Sequence, residues 1–434
     1  MRIPNSPPAL SIRPERFLEV LRERVGPSPE GKYRHWDTLR HCEAPDGLTH
    51  EEWWFGISIA RLGLLKPLPF IDKAGSPFLF GMPDPLLARL HRIDLEAGGK
   101  QPTSVRFEAG SSDRYLQSSL QEEAIASSQL EGASTTRKRA KDLLRSGKAP
   151  QSKSERMIVN NYEAMRFVAS KKSAPLTVGL IEELHRVLLE GTLSEPAGVY
   201  RKPNDGIAVF DNVDGKLLHS PPPAQEIPQR LEALCAFANQ PLESSEVFMH
   251  PVVHAIVLHF MLAYDHPFVD GNGRTARALF YWAMLSHGYW LMEYTSISSI
   301  LKQAPARYGR SFLYTETDRN DTTYFLLSQA RVIEQAISAL HQYAKRKSAQ
   351  LRQADEAIHA TGLNQRQLAL LSHAIRNPNA EYTIRSHRGS HGVAYQTART
   401  DLAELDQLGY LNMFKRSRQM VYTPSTALFE ELNQ

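Results

Sequence analysis

The sequence predicts a mainly α-helical protein, and three observations support this. Apolar residues recur at helical spacing almost without a break from about residue 113 to residue 349, with no strand-rich block among them. Strands are predicted only as short hairpins around Gly-containing turns. Helix start and stop signals, such as Thr49 at one start and Gly98-Gly99 at one end, stand where the periodic segments begin and finish.

The first 112 residues predict a small accessory domain of mixed elements. LTHEEWWFGISIARLG predicts a helix capped by Thr49, LPFIDKAGSPFLF predicts a hairpin, and DPLLARLHRIDLEAGG predicts a second helix. Three tryptophans in this segment are more typical of a packed core than of a binding surface: Trp36, Trp53 and Trp54.

The central domain, residues 113–349, is predicted to be helical with one hairpin inserted. The hairpin consists of GIAVF and KLLHS around the turn DNVDG, and Pro221, Pro222 and Pro223 close it. The predicted helices lie near 114–131, 153–170, 176–190, 224–239, 249–264, 274–287 and 321–348.

The last domain, residues 350–434, begins where charge rises and the apolar rhythm weakens. A helix over Asn364–Ile375, a short segment over Thr383–Gly389 and a helix over Val393–Leu408 precede two strands in GYLNMFKRSRQMVYTP. This is the order of a winged helix.

Composition excludes several classes of protein. The chain has 434 residues, of which 42% are hydrophobic and 23% charged, so disorder and fibrous repeats are not expected. Cys42 and Cys235 are too few for a disulfide scaffold or a cysteine zinc site. No apolar run reaches the ~18 residues that a membrane helix needs, and the first residues lack the apolar core of a secretory signal. We expect a reducing cytoplasm.

The formal net charge of +4 is concentrated in the last fifth of the chain. Residues 341–434 carry 12 Lys and Arg against 8 Asp and Glu, whereas residues 1–340 carry 39 of each. A basic C-terminal segment is compatible with a nucleic-acid partner.

The segment HPVVHAIVLHFMLAYDHPFVDGNGRTARALFYWAML, residues 250–285, carries the candidate chemistry. Two apolar helical patterns are separated by Asp270-Gly271-Asn272-Gly273, which would not be stable inside a helix. The chain therefore turns sharply and re-enters a helix near Arg274, which directs free N–H groups and a positive helix end to one point. Gly271 and Gly273 allow close approach of phosphate oxygens, and Arg274 and Arg277 can add charged hydrogen bonds.

Two further residues complete this set. Asp270 beside a phosphate site indicates a cation between them, and Mg²⁺ prefers such mixed ligands. His266, just before the loop, can accept a proton near neutral pH.

Three other interpretations of this segment are a simple turn, a Walker A loop and a zinc site. A lone DGNG is most often a simple turn, and the conjunction of six such residues within 12 positions argues against that here. A Walker A loop is absent. A zinc site on His250, His254 and His259 lacks a Glu or Cys in ligand register.

His266–Arg277 matches HPFxDGNGRxxR at every fixed position, and the chain therefore resembles the Fic family over roughly residues 113–340. The resemblance implies a Fic-type helical bundle, with the hairpin at 206–220 as the flap that docks a target polypeptide. It implies Mg²⁺-dependent transfer of AMP from ATP to a Ser, Thr or Tyr hydroxyl of a protein. In this reading His266 is the base, Asp270 the metal ligand, and Phe268 a core anchor. The resemblance assigns ATP and its phosphates to Gly271, Asn272, Gly273, Arg274, Thr275, Arg277 and, more loosely, Tyr308.

A second motif lies upstream, in Ser127-Ser128-Gln129-Leu130-Glu131-Gly132. It resembles the family's inhibitory pattern, with Ser127 and Glu131 at the matching positions. A carboxylate there can pair with Arg277 and displace the γ-phosphate. The resemblance thus implies an N-terminally inhibited enzyme in which Glu131 can also support removal of AMP.

Several family possibilities stay open. Gly273 stands where the phosphorylating Doc branch carries Lys, which argues against a kinase. Transfer of UMP or phosphocholine, self-modification and a homodimer are compatible with the motif.

The alternative function is that of a DNA-binding transcriptional regulator with a Fic core. The winged helix would then present the following residues to DNA: Gln396, Thr397, Arg399, Thr400, Lys415, Arg416 and Arg418.

Overall fold

The computed structural model divides the chain into two compact units, Met1–Ser338 and Ala339–Gln434. It describes residues 1–23, 25–99, 112–192, 197–211, 214–242, 248–359, 362–378, 380–416, 419–426 and 428. The predicted boundary at 112/113 adjoins an undescribed stretch, and both domain boundaries stay predictions. No helix in the described ranges combines the length and apolar character needed to cross a membrane.

Helices account for most of the first unit. They are α1 Pro14–Arg22, α2 Trp36–Leu39, α3 His50–Leu62, α4 Asp84–Ala97, α5 Ser112–Leu130, α6 Arg137–Ser146, α7 Lys153–Ser170, α8 Val178–Leu189, α9 Ile227–Ala238, α10 Pro251–Asp265, α11 Asn272–Ser286, α12 Ile297–Leu301 and α13 Pro305–Thr317. Helix α14, Thr323–His359, begins in the first unit and continues into the second.

Two short antiparallel hairpins accompany these helices, as predicted. Strands β1 (Lys66–Ile71) and β2 (Pro77–Phe80) form the first, and β3 (Val209–Phe210) and β4 (Leu217–His219) form the second. Thr49 caps α3 in a reciprocal arrangement with Glu52. Most predicted helix starts and ends lie within a few residues of those observed. The helix predicted over 321–348 differs, because it continues to His359, and the predicted boundary between residues 349 and 350 therefore falls inside a helix.

Five helices described in the first unit were not predicted from the sequence, namely α1, α2, α6, α12 and α13. For two of them the physical reason is clear. Helix α6, RKRAKDLLRS, has few apolar residues, and its start at Thr136 and end at the left-handed Gly147 define it instead. Helix α13 begins at Pro305 and contains Gly309, which weakens its helical signal.

Helices α10 and α11 pack against each other at the centre of the first unit. Val253, Ile256 and Phe260 of α10 are fully buried. The N-terminal hairpin contributes to the same core, since the ring of Phe78 stands edge-on to Phe260 at 5.5 Å between centroids. The predicted aromatic core is also present: Trp36, Trp53 and Trp54 cluster with Leu39 and Ile57.

The second unit has its own core. It contains α15 (Gln365–Arg376), β5 (Tyr382–Thr383), α16 (Ile384–His391), α17 (Tyr395–Gln407), β6 (Leu411–Arg416) and β7 (Gln419–Pro424), with the antiparallel sheet order β5-β7-β6. Leu371, Ala374, Leu402 and Leu405 are fully buried between these elements. The predicted order of helices and strands is observed, and the assignment as a winged helix stays a prediction.

Candidate active site

His266 ends α10 in a left-handed backbone conformation, with φ of 47° and ψ of 56°. Its Nδ1 lies 3.2 Å from the carbonyl oxygen of Ala263. Because a carbonyl can only accept a hydrogen bond, Nδ1 carries the ring proton and Nε2 keeps its lone pair. Burial lowers the pKa of His266 to about 4, so the imidazole is neutral at physiological pH.

The loop between α10 and α11 is fixed from inside. Phe268 is fully buried, and its ring stacks on His185 at 3.7 Å, which agrees with its expected role as a core anchor. The Nδ1 of His185 accepts from the Gly198 amide, and Nε2 therefore donates to the carbonyl of Asp270 at 2.9 Å. Burial lowers the pKa of His185 to about 4, which keeps this neutral donor in place.

Two residues predicted to bind phosphate have side chains that are hydrogen-bonded within the loop, and their phosphate contacts stay predictions. The Asn272 side chain accepts from the Phe268 amide at 2.9 Å and donates to the Phe268 carbonyl at 2.8 Å. The Thr275 hydroxyl is fully buried and donates to the Gly271 carbonyl at 2.9 Å. Both side chains therefore brace the loop. The motif alone does not distinguish these roles, because the same residue types would be present whether their side chains contact a ligand or stabilise the loop.

The first turn of α11 forms the anion-binding end of the site. Gly271 has φ of 82°, which a residue with a Cβ adopts only under strain, and it precedes the helix directly. The first N–H groups of a helix have no partners within it, so this turn can bind phosphate oxygens. Arg274 and Arg277 emerge from the same helix, and each is about 1% exposed.

Arg277 is held by the segment that carries Ser127 and Glu131, which the sequence predicts to be inhibitory. Its Nε donates to the Ser127 hydroxyl at 2.9 Å, and its Nη2 donates to a Glu131 carboxylate oxygen at 2.8 Å. Burial disfavours the charge, but the Glu131 carboxylate keeps the pKa of Arg277 above its ordinary value. The structure thus brings together residues 150 and 146 positions apart in the chain, as the upstream motif predicted.

Glu131 also covers the first turn of α11. A Cβ placed on Gly273 would lie 2.3 Å from Glu131 Oε1, so the carboxylate lies directly against this glycine. Gly132 follows with φ of 90°, which ends α5 and turns the chain away. The Glu131 carboxylate thus takes the space where the helix end would receive an anion.

Asp270 is suited to a hydrated cation. One carboxylate oxygen accepts from the Gly271 amide at 2.5 Å and from Arg274 at 3.4 Å, and the side chain remains 41% exposed. Mg²⁺ is usually held by one or two protein carboxylates, with water and substrate phosphates as the other ligands. The single carboxylate beside an anion-binding helix end fits that ion.

A cavity of about 220 Å³ joins these groups. Its lining includes the following residues: Glu131, His266, Gly273, Arg277 and Tyr308. The Tyr308 hydroxyl and His259 Nε2 are hydrogen-bonded at 2.7 Å, and burial lowers the pKa of His259 to about 3, which keeps its imidazole neutral. The loose sequence match at Tyr308 therefore falls on a residue of the site.

The three histidines of the alternative zinc site each contact a different partner. His250 contacts Asp94, His254 contacts the Phe237 carbonyl, and His259 contacts Tyr308. No group of three possible metal ligands occurs within the described ranges.

Two residues at the site had no signal in the sequence analysis. Arg201 donates to the carbonyls of Asp265 and His266, and His219 donates to the carbonyl of Tyr264. Their partners are backbone atoms, and contacts with backbone atoms cannot be inferred from the pattern of residue types. The prediction that 206–220 forms a hairpin beside the motif was the nearest available indication.

A helical core that presents a His-Asp-Gly-Arg loop between two buried helices is the architecture of a Fic-type domain. Residues 175–284 match the model of the Fic/DOC family, and the chain therefore carries a Fic/DOC domain. The matched range includes the complete motif from His266 to Arg277.

Individual relatives agree with this assignment. A protein adenylyltransferase Fic of Nematostella vectensis is 33% identical over 130 residues, which are 29% of this chain and 28% of the relative. A protein adenylyltransferase fic-1 of Caenorhabditis briggsae is 28% identical over 167 residues, 37% of this chain and 31% of the relative. The chain thus spans less than a third of the length of these curated relatives.

The fold of the chain is also similar to that of a solved structure. The crystal structure of a Fic family protein from Desulfovibrio desulfuricans G20 aligns with a TM-score of 0.50 at 19% identity, and the alignment covers 79% of this chain and 95% of that one. The prediction of a mainly helical, Fic-type fold is confirmed.

Proposed function

We propose that this chain is a protein adenylyltransferase that transfers AMP from ATP to a hydroxyl side chain of a protein and is restrained by Glu131. The observation that carries the proposal is the shared cavity: the basic nitrogen of His266 and the anion-binding end of α11 open into one space of about 220 Å³. The names of the curated relatives support the same activity.

The reaction needs a base, a phosphate clamp and a bound nucleotide. The hydroxyl oxygen of the target attacks the α-phosphorus of ATP, and a new P–O bond forms. The bond from that phosphorus to the bridging oxygen of pyrophosphate breaks, and pyrophosphate leaves. The hydroxyl proton passes to Nε2 of His266, while the α11 N-terminus and Arg274 stabilise the developing charge.

Asp270 would hold Mg²⁺ in this scheme. The ion supplies charge neutralisation at the phosphates when it is bound. Arg274, 3.4 Å from the same carboxylate, orients Asp270 from the helix side.

Restraint follows from the contacts of Glu131. An ATP phosphate at the first turn of α11 would meet the carboxylate against Gly273 and would compete with it for Arg277. ATP bound with Glu131 in place therefore cannot engage Arg277. Removal of this carboxylate should activate the enzyme.

The test uses ATP labelled at the α-phosphate, with Mg²⁺ and a cell lysate as the source of targets. We expect weak labelling of protein by the wild-type chain, strong labelling by Glu131→Gly, and none by Glu131→Gly combined with His266→Ala. Glu131→Gly combined with His41→Ala is the matched control, because His41 is exposed and lies outside the cavity. Absence of label in all variants would refute AMP transfer, and UTP and CDP-choline would then be tested as donors.

Removal of AMP by the same site is tested with protein that has been labelled beforehand. If this reverse activity dominates, the wild-type chain releases label and Glu131→Gly does not.

The second unit favours an additional DNA-binding function. The predicted recognition helix α17 exposes Gln396, Arg399 and Thr400, and Lys415 is exposed on β6. Arg416 is paired with Glu381 at 2.7 Å, and Arg418 lies outside the described residues. Binding to mixed-sequence duplex DNA that weakens with salt and with Arg399→Ala would support this function, and binding unaffected by either would refute it.

A further inference from the structure

The end of α10 is fixed by side chains from another segment of the chain. The last carbonyls of a helix have no partners within it. Here His219 donates from Nε2 to the Tyr264 carbonyl at 2.8 Å, and Arg201 donates to the carbonyls of Asp265 at 3.2 Å and His266 at 2.8 Å.

Arg201 is committed to backbone oxygens. It is 7% exposed, and a third donation from its guanidinium reaches the Pro222 carbonyl at 2.6 Å. Its own amide donates to the Pro267 carbonyl at 2.9 Å. One residue thus joins the chain on both sides of His266 to the segment that leaves the hairpin.

His219, at the end of the second strand of the hairpin, also contacts a carbonyl at the end of α10. It is the last residue of β4 and is 8% exposed. While Nε2 contacts the Tyr264 carbonyl, Nδ1 pairs with Glu316 of α13 at 2.8 Å. The hairpin is therefore bracketed by two residues that both contact the helix end carrying His266.

His266 needs this support because its backbone is strained. A residue other than glycine in the left-handed region is strained by its Cβ and persists only where its surroundings enforce that conformation. Without donors on the carbonyls of residues 264–266, the peptide can relax, and the imidazole would move with it.

We infer that Arg201 and His219 are positioning residues that set the orientation of the His266 imidazole and link it to the hairpin β3–β4. A target that docks on the hairpin would act on the base through these two contacts. The inference rests on the proposed AMP transfer for its kinetic consequences, but the predicted orientation of His266 can be measured without any reaction.

The kinetic experiment is done in the Glu131→Gly chain, where the active site is open. Arg201→Lys keeps the charge but cannot reach three carbonyls, and we expect kcat to fall by about 10- to 100-fold while KM for ATP changes less than about twofold. His219→Gln, which retains one donor, should lower kcat less. The two changes together should cost less than the product of their separate effects, because both act on one helix end.

Arg61→Lys is the matched control. Arg61 is 2% exposed and also donates to backbone carbonyls, those of Pro27 and Arg34, but it lies away from the cavity. It should lower the melting temperature and leave kcat within about twofold. An equal fall in kcat for Arg61→Lys and Arg201→Lys would show general loosening and would overturn the inference.

The second readout is independent of activity. In ¹⁵N-histidine NMR spectra, the His266 signal, assigned by its loss in His266→Ala, should report a neutral ring protonated at Nδ1. Arg201→Lys should shift this signal towards a mixture of the two tautomers, whereas Arg61→Lys should not. If the Glu131→Gly chain is inactive but the shift occurs, AMP transfer fails and the positioning role stands; an unchanged signal overturns the positioning role even in an active enzyme.

Discussion

His266 combines features that suit a base and that cost stability. Its imidazole is neutral because burial lowers its pKa to about 4, and its Nδ1 is committed to the Ala263 carbonyl. An ordinary histidine would be about nine-tenths protonated one pH unit below its pKa of 6.5. The buried ring of His266 avoids this loss.

This predicts an unusual pH profile for AMP transfer. For the Glu131→Gly chain, kcat/KM reports the free enzyme, and it should not fall with an apparent pKa near 6.5. Because the pKa of His266 is lowered to about 4, the base stays in its active neutral form as the pH falls from about 8 to about 5.5. Initial rates over that range, with circular dichroism to show that the protein remains folded, provide the measurement; a tenfold loss by pH 5.5 would contradict it.

Helix α5 leads directly to Glu131, the carboxylate that we propose to be inhibitory, and is itself anchored two turns earlier. Glu123 is 1% exposed and accepts from the Tyr281 hydroxyl, the Ser296 hydroxyl and the Ser298 amide at 2.9–3.0 Å. Tyr281 belongs to α11, four residues after Arg277. The two ends of the inhibitory contact are therefore held in register by this buried network.

We expect Glu123→Gln to weaken inhibition. Its amide group places a donor among groups that donate, and an unsatisfied buried polar group costs roughly 1–3 kcal/mol. The melting temperature should fall by a few degrees, and labelling by the otherwise wild-type chain should rise several-fold. In the Glu131→Gly chain the same substitution should add no activation, because the carboxylate that it releases is already absent.

Glu122→Gln is the matched control, since Glu122 lies on the same helix but pairs with Arg137 and Lys141 instead of α11. Equal activation by both substitutions would show that any disturbance of α5 suffices.

At the level of elements, the helices that could be predicted are those with a clear apolar periodicity and clear capping residues. Helices α10 and α11 and the turn between them could be located because the glycines of the loop interrupt two apolar patterns. The Glu131–Arg277 contact could be predicted only through the family motif, since no local pattern joins residues so far apart. Helix α13, with Tyr308, could not be predicted because Pro305 and Gly309 mask its amphipathic face.

At the scale of the whole first unit, several histidines are buried as neutral groups. Burial lowers the pKa of His35 and His254 to about 4 and that of His259 to about 3. Each is at most 1% exposed. Such a group takes up a proton when the chain unfolds, so the unfolded state binds more protons between its own pKa near 6.5 and the lowered value.

The free energy of unfolding should therefore decrease as the pH falls from 7.5 to 5.5. Each of the three histidines contributes about 1 kcal/mol to that decrease, because the folded pKa lies below the unfolded one and the stabilisation is complete only above about pH 6.5. Urea unfolding at the two pH values measures the effect. His254→Asn should reduce the pH dependence, whereas replacement of the exposed His41 by Asn should leave it unchanged; a free energy independent of pH would contradict the prediction.

The contacts of Arg277 and Tyr308 also limit how this protein could be divided. The family match ends at residue 284 and begins at 175, yet Ser127 and Glu131 come from before that range and Tyr308 from after it. A fragment cut at the matched borders would keep the loop but lose Ser127, Glu131 and Tyr308, and with them the contacts of Arg277 and part of the cavity lining. The smallest transplantable module for protein engineering is therefore longer than the recognisable motif-bearing segment and must extend from α5 through α13.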